Sequence, residues 1–446
     1  MKRISKVISL VLALSLLFSV TAFAEPGFTF TEDELQKTRL EWEDIQADNS
    51  VITLSVGENF NDISFSWLSD FFDAKPMLKI SKNSDMKDSE NISVESKSTV
   101  LLRRSNKAYA KGLEENETYW YSYTENGAWS EPERFIIGSK DNFSFIFVSD
   151  SQIGRSGDPK DKNVLINDTC GWQRTVRMAS ERKPDASFIL SAGDQTEHGY
   201  SLTQYKAFLS PKELRSYPLV NVIGNHDFYF PCYTYYSANP NQIKEKLASP
   251  AGNGFYFCRG DALFIILNSN DMYVPDAAKL IKSAIDAYPK AKWRIAALHL
   301  SAYSAYQSDG KFVLERSVFA PLFDTYSMDL VLSGNDHMYS CSYPVRSGKV
   351  GEGTTYLQAS SASGSNFGTP KQEQSRYSRF VFREKTATYS LLDVTGKSID
   401  VKTYTTDGDR EIDSFTLNKE SESTEPAERI VIYAVSFIKT LISMFK

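Results

Sequence analysis

The sequence predicts an α/β layered domain carried behind an all-β sandwich. Three observations predict it. Short β segments separated by turn residues fill residues 51–137. From residue 141 the pattern changes to continuous apolar runs, with helical stretches between some of them. Those runs end in acidic, amide or histidine side chains, and all but the one at 262–271 end in candidate metal ligands, where α/β enzymes keep their chemistry.

The first 24 residues read as an export signal. Lys2, Arg3 and Lys6 precede an apolar run over 7–20, and Ala22-Phe23-Ala24 is a cleavage pattern. The run is short for a membrane-spanning anchor, so a secreted or cell-surface protein is expected. The whole chain has a net charge of −6, and losing those three cations takes the mature chain to −9. That charge argues against a nucleic-acid partner and favours small or neutral ones. Cys170, Cys232, Cys258 and Cys341 lack C-x-x-C spacing and read as free or structural thiols, any disulfide pairing being left open.

Residues 25–50 form a charged lead-in with a helix expected around 33–46. With the segments "VITLSV" (51–56), "DISFSWLS" (62–69), "PMLKISK" (76–82), "KAYAKGL" (107–113) and "TYWYSYT" (118–124) they make up a first domain, 25–140. The second domain, 141–417, is built on "FSFIFVSD" (143–150), "ASFILSAGD" (186–194), "LVNVIGNHD" (219–227), "ALFIILNSND" (262–271), "WRIAALH" (293–299) and "DLVLSGNDH" (329–337). Helical patterns at 171–184 and 276–289 lie between some of these, and β patterning returns after Gly353. A polar linker, 418–428, leads to an apolar tail, 429–446, carrying Lys439 and Lys446. The tail reads either as an amphipathic helix touching a membrane surface or as a helix packed on the protein.

The chain has four histidines, and His226, His299 and His337 follow apolar strands directly. One histidine there is more often structural than a ligand. Three of four, beside Asp150, Asp194 and Asn225, reverse those odds. Carboxylate, amide oxygen and imidazole together suit hard or borderline divalent cations. Two such ions need a bridging carboxylate, and they activate water and clamp a phosphoryl oxygen. A histidine poised by a carboxylate can then protonate the leaving oxygen.

The ordered set Asp150-Ser-Gln152, Gly193-Asp194, Gly224-Asn225-His226-Asp227, His299 and Gly334-Asn335-Asp336-His337 resembles the calcineurin-like metallophosphoesterases. Within them it is most similar to the purple acid phosphatase-like branch with an N-terminal fibronectin-type-III-like domain, over residues 51 to about 405. The resemblance implies a four-layer αββα sandwich holding two divalent ions, drawn from Mn, Fe, Zn or Mg. It implies Asp150, Gln152 and His337 on the first metal, Asp194 as the bridge, and Asn225, His299 and Asn335 on the second. His226 would act as acid or donor to the phosphoryl group, and Asp227 would orient it. The expected function is a secreted phosphoesterase acting on a small-molecule or cell-envelope phosphomonoester or phosphodiester.

Three departures stand out. Gln152 occupies a position where most of the superfamily has histidine, and offers an amide oxygen as ligand or as holder of a bound water. Glu197 stands where the purple enzymes have tyrosine, so a colourless protein is expected. Asn335 replaces the first histidine of G-H-x-H, which weakens the second site and favours Mn²⁺ or Mg²⁺ over Zn²⁺. The competing reading is a cell-surface binding protein on a degenerate scaffold. His198 reads as a surface loop residue rather than a substrate or metal contact. Tyr303 and Tyr339 read as packing residues, and the "ASSASGSNFG" segment (359–368) as a turn, rather than as the lining of the site.

Overall fold

The computed structural model describes residues 27, 30–48, 51–72, 75–125, 127–157, 161, 163–246, 249–305, 313–369 and 375–419. The expected export signal at 1–24, the rest of the expected linker beyond Lys419 and the tail at 429–446 lie outside the described residues. No described helix is long and apolar enough to cross a membrane.

The amino-terminal part comprises α1 (Glu32–Ala47), β1 (Thr53–Val56), β2 (Ile63–Asp70), β3 (Leu78–Ser81), β4 (Glu90–Ile92), β5 (Val94–Ser98), β6 (Arg103–Ala110), β7 (Glu117–Glu125), β8 (Ala128–Trp129) and β9 (Glu133–Ile137). The next stretch holds β10 (Phe143–Val148), α2 (Asn163–Arg182), β11 (Ile189–Ser191), α3 (Leu202–Phe208), β12 (Leu219–Asn221), α4 (Cys232–Tyr235), β13 (Phe255–Arg259), β14 (Ala262–Ile266), α5 (Val274–Ala287) and β15 (Trp293–Ala297). It is followed by α6 (Leu314–Thr325), β16 (Leu330–Ser333), β17 (Ser340–Ser342), β18 (Val345–Arg346), β19 (Lys349–Val350), β20 (Thr355–Gln358), β21 (Ser378–Val381), β22 (Thr388–Val394), β23 (Ser398–Thr405) and β24 (Glu411–Asn418).

Two large sheets lie face to face. The first runs β24-β23-β22-β10-β11-β12-β1-β2-β6-β5, the second β13-β14-β15-β16-β20-β17-β21. Phe145, Leu190 and Val220 of the first sheet meet Phe264, Ile295 and Leu332 of the second in a buried layer. On the outer face of the first sheet Trp172 and Val176 of α2 pack with Ile146, Ile189 and Leu219. On the outer face of the second, Leu280 and Ile281 of α5 and Phe319 and Phe323 of α6 cover Leu263, Ile265 and Val331. The order helix, sheet, sheet, helix is the expected αββα sandwich. It explains the continuous apolar runs, because each central strand is buried on both faces.

The sandwich at 51–137 has a core of its own, where Ile52, Leu54, Phe65 and Trp67 face Leu78, Ile80, Tyr121 and Phe135. One of its sheets is not its own. β1 pairs in parallel with β12, Ser55 opposite Leu219, so β1, β2, β6 and β5 extend the first large sheet. The lead-in also departs from its expected membership of the first domain. α1 lies on α2: Glu34 accepts from Arg174 Nε at 2.9 Å and Thr38 bonds Gln173 at 3.1 Å. α2 itself begins well before the expected helix at 171–184. All four cysteines are free, three of them buried.

Candidate metal centre

β10, β11 and β12 run parallel, so the loops that follow them leave the sheet at one edge. Those loops bring Asp150, Asp194 and Asn225 together. β15 and β16, parallel in the second sheet, deliver His299 and Asn335–His337 to the same place.

Backbone conformation is unusual here. Asp150, Gln152, Asp194, Asn335 and His337 all have positive φ, between 37° and 72°. Such a conformation strains any residue with a β-carbon, and clusters of it mark functional sites. The motif glycines make room. A β-carbon on Gly224 would collide with Asp194, and one on Gly334 with Ser149 and Asp150. Hence G-N-H-D and G-N-D-H open on glycine: the first gives way to Asp194 from the neighbouring strand β11, the second to Asp150 from the facing sheet.

Asp150, Asp194 and His299 are buried, and each offers a ligand atom within 4.8 Å of the others. Around His299 Nε2, Asn225 Oδ1 lies at 3.1 Å and Asp194 Oδ2 at 3.3 Å. His299 Nδ1–H donates to the Ala192 carbonyl at 2.8 Å, which fixes the tautomer and aims Nε2 into the cluster, the usual support of a metal-binding imidazole. Asp194 Oδ1 accepts the His226 N–H at 2.9 Å. On the other side His337 Nε2 lies 3.5 Å from Asp150 Oδ1, and the Asn335 N–H reaches both Asp150 oxygens at 3.0 and 3.2 Å.

The electrostatics favour a cation. Burial disfavours a charged His299 ring, yet Asp194 and Asp150 outweigh it and raise its pKa to about 10. Burial likewise opposes ionisation of Asp194, and His299 and His226 overcome it, holding its carboxyl well below the usual range. Burial lifts the Asp150 carboxyl against the pull of His337 and His299. Gln152 Oε1 and His337 Nδ1 are buried with no hydrogen-bond partner. A buried orphan costs about 1–3 kcal/mol, and a metal ion is one occupant that would repay it. Two carboxylates, two imidazoles and amide oxygens fit divalent ions of the Mn, Fe, Zn or Mg kind.

Two assignments change. The sequence reading gives Asp227 the task of orienting His226. Its carboxylate instead accepts the N–H groups of Asp194 and Gly224, each at 3.0 Å, and the Tyr205 hydroxyl at 3.3 Å. Asp227 therefore ties the two motif loops together. Burial and the charge of Asp194 lift its pKa to about 7. The His226 ring is held by Glu197: Nδ1–H donates to the Glu197 carbonyl at 2.7 Å, and the carboxylate lies 3.5 Å from Nδ1. Burial lowers the His226 pKa, but Asp194 and Glu197 raise it further. Glu197 also accepts Gln152 Nε2 at 2.9 Å and pairs with Arg155 at 3.1 Å. This bond leaves Gln152 Oε1 as the atom without a partner. Glu197 was visible in the sequence as a substitution, but nothing there revealed what it holds.

The Asn335 side chain donates to Asp336 Oδ1 at 2.8 Å. His198 is exposed and stacks on Tyr200, 5.3 Å between centroids, outside the cluster. Tyr339 is buried, its hydroxyl on Asp413, and Tyr303 packs on Tyr356 and Tyr377. The serine-rich segment braces the site from behind: Ser361 Oγ donates to the Asp150 carbonyl at 3.0 Å.

The family model described as calcineurin-like phosphoesterase matches residues 143–339. Two uncharacterized proteins of Mycobacterium tuberculosis, from strains H37Rv and CDC 1551, are each 28% identical over 155 residues, covering 30% of this chain. The match spans 28% of the length of those relatives. Among solved structures, the purple acid phosphatase PPD1 of yellow lupin (Lupinus luteus) seeds superposes with a TM-score of 0.69 at 15% identity, over 82% of this chain and 74% of that one. PhoD superposes at 0.58 and 12% identity, over 89% and 99%. At these identities the likeness is one of fold.

Proposed function

We propose, for a chain whose residues 143–339 belong to the calcineurin-like phosphoesterase family, an exported metal-dependent hydrolase of phosphomonoesters or phosphodiesters. The observation that carries this reading is the buried group Asp150, Asp194 and His299, with the unpartnered Gln152 Oε1 beside it. Asp150, Gln152 and His337 would hold one divalent ion, Asn225 and His299 the other, with Asp194 between them. Asn335 is a further candidate for the second ion. Two such ions would supply an activated water and neutralise charge at the phosphoryl oxygens. The chain's own contribution is positional. Asp227 locks the Asp194 and Gly224 loops to each other. His226, its Nδ1 anchored on the Glu197 carbonyl, presents Nε2 as the donor that protonates the leaving oxygen. Burial lowers the pKa of that ring, and the neighbouring Asp194 and Glu197 more than offset it, raising it above the ordinary imidazole value.

One observation favours a second reading, a binding protein on a weakened scaffold: the Asn335 amide is engaged by Asp336. Metal content and turnover separate the two. The phosphoesterase reading expects two metals per chain and turnover of a chromogenic phosphoester with Mn²⁺, both lost in Asp194→Asn. One metal or none, with no turnover under any divalent ion, would refute it.

A further inference from the structure

We propose that the tip of the N-terminal sandwich docks on an anionic lipid surface. The turn between β5 and β6 reads Thr-Val-Leu-Leu over 99–102, and two phenylalanines follow β2. Hairpin turns ordinarily take Gly, Asn or Asp. Here the position with φ of +53° is Leu102, a conformation that costs a branched side chain. The turn is nonetheless well built. The Thr99 N–H donates to the Arg103 carbonyl at 2.8 Å, and Thr99 Oγ1 accepts the N–H groups of Leu101 and Arg103 at 3.3 and 3.2 Å. With the backbone satisfied, the side chains are left to solvent: Phe72 is 90% exposed, Val100 77% and Leu102 75%, with Phe71 and Leu101 at 38% each.

These five belong to one patch. In the β2–β6 ladder Asp70 stands opposite Arg103, so Phe71 and Phe72 leave the sheet beside Leu102. Their rings meet edge to face at 5.3 Å. Single exposed apolar residues are ordinary, but five large ones together mark an interaction surface.

Charge identifies the occupant. Within three residues of the patch the sequence places Lys75, Lys97, Arg103 and Arg104 against Asp70 and Asp73, and Arg103 pairs with Asp70. The chain as a whole has a net charge of −6, so a basic tip runs against its overall balance. Bulky apolar tips backed by long cationic side chains match the boundary between acyl chains and anionic headgroups. A protein interface, by contrast, is poor in charge at its core. β2 runs antiparallel to β1, and β1 parallel to β12. The tip therefore lies at the opposite strand ends from Asp194 and Asn225, and docking leaves the metal centre uncovered.

The experiment is co-sedimentation of the full chain with phosphatidylcholine vesicles, with and without phosphatidylglycerol. Binding is expected with the anionic lipid and at least about tenfold less without it. Phe72→Asp with Leu102→Asp should lower partitioning about tenfold or more, whereas Val350→Asp, an exposed apolar site elsewhere, should not. Circular dichroism and metal content identical to wild type show that the double variant folds. Three results overturn the proposal. The double variant could partition like wild type, which would assign binding to the tail at 429–446. Wild type could bind both vesicle types equally. Or it could ignore vesicles and self-associate through the tip.

Discussion

Glu197 touches both halves of the site. Its carboxylate holds Gln152 and its carbonyl holds His226, so the two functions should separate on mutation. Glu197→Ala frees Gln152 but keeps the carbonyl. It is expected to weaken the metal at Asp150 by about 10–100-fold, read by titration calorimetry. His226→Ala should keep both metals and lower kcat by about 10²–10⁴. If instead Glu197→Ala bound metal normally, its bond to Gln152 would not support the metal, leaving the Arg155 pair and the His226 contact as its roles. At Asn335 the expected change has the opposite sign: Asn335→His restores an imidazole and should tighten the weaker metal by about 10–100-fold, seen as a steeper Mn²⁺ titration. Asp150, Asp194, Asn225 and His299 could be picked out from the sequence because each sits at the end of an apolar strand. The work of Asp227 could not. Its partners are two backbone N–H groups and the distant Tyr205 hydroxyl, and backbone groups look the same in every sequence.

The helix α1 and the strand loops show what an element needs to become legible. The central strands were readable as apolar runs because burial on both faces leaves no alternation. β13 and β17 were not: β13 alternates buried and half-buried positions, and β17 is a Ser-Cys-Ser segment. The first half of α2 was hidden by its Asn, Asp and Thr residues, of which Asp168 and Thr169 are buried by the fold rather than chosen for helix propensity. The seat of α1 was equally invisible, because Glu34 and Arg174 are 140 residues apart. That pair carries a pH prediction. The Arg174 bond outweighs burial and lowers the Glu34 pKa to about 2 from 4.5. A depressed carboxyl stabilises the fold above its unfolded pKa, and the benefit fades as pH falls from 4.5 toward 2. With solvent screening it amounts to about 1 kcal/mol. Glu34→Gln should therefore be less stable than wild type at pH 7, and the two should converge in acid denaturation toward pH 2. A gap that persists at low pH would assign the effect to packing.

At the scale of the whole molecule the sandwich and the αββα layers share a sheet and further bonds. Arg215 donates to the Ile52 carbonyl at 2.7 Å, Thr53 to the Tyr236 carbonyl at 2.6 Å, and Tyr121 to the Arg215 carbonyl at 2.9 Å. One calorimetric transition is expected for the folded chain. Mn²⁺ should raise that transition as a unit, by about 2.7 kcal/mol at one hundred times Kd. Two transitions, only one of which responds to metal, would show that the parts melt apart. The sequence reading placed a boundary near residue 140, where composition changes. Edge-to-edge pairing leaves no mark on composition, which is why the continuity was missed. It also bears on the order of events during synthesis. β1 must wait for β12, with Ser55 opposite Leu219, and β10 must wait for β22, with Phe143 opposite Val394. A nascent chain cannot close its first sheet until nearly all of its strands have emerged. Pairings so distant fold slowly, so the first sheet is expected to be the last part of the molecule to close.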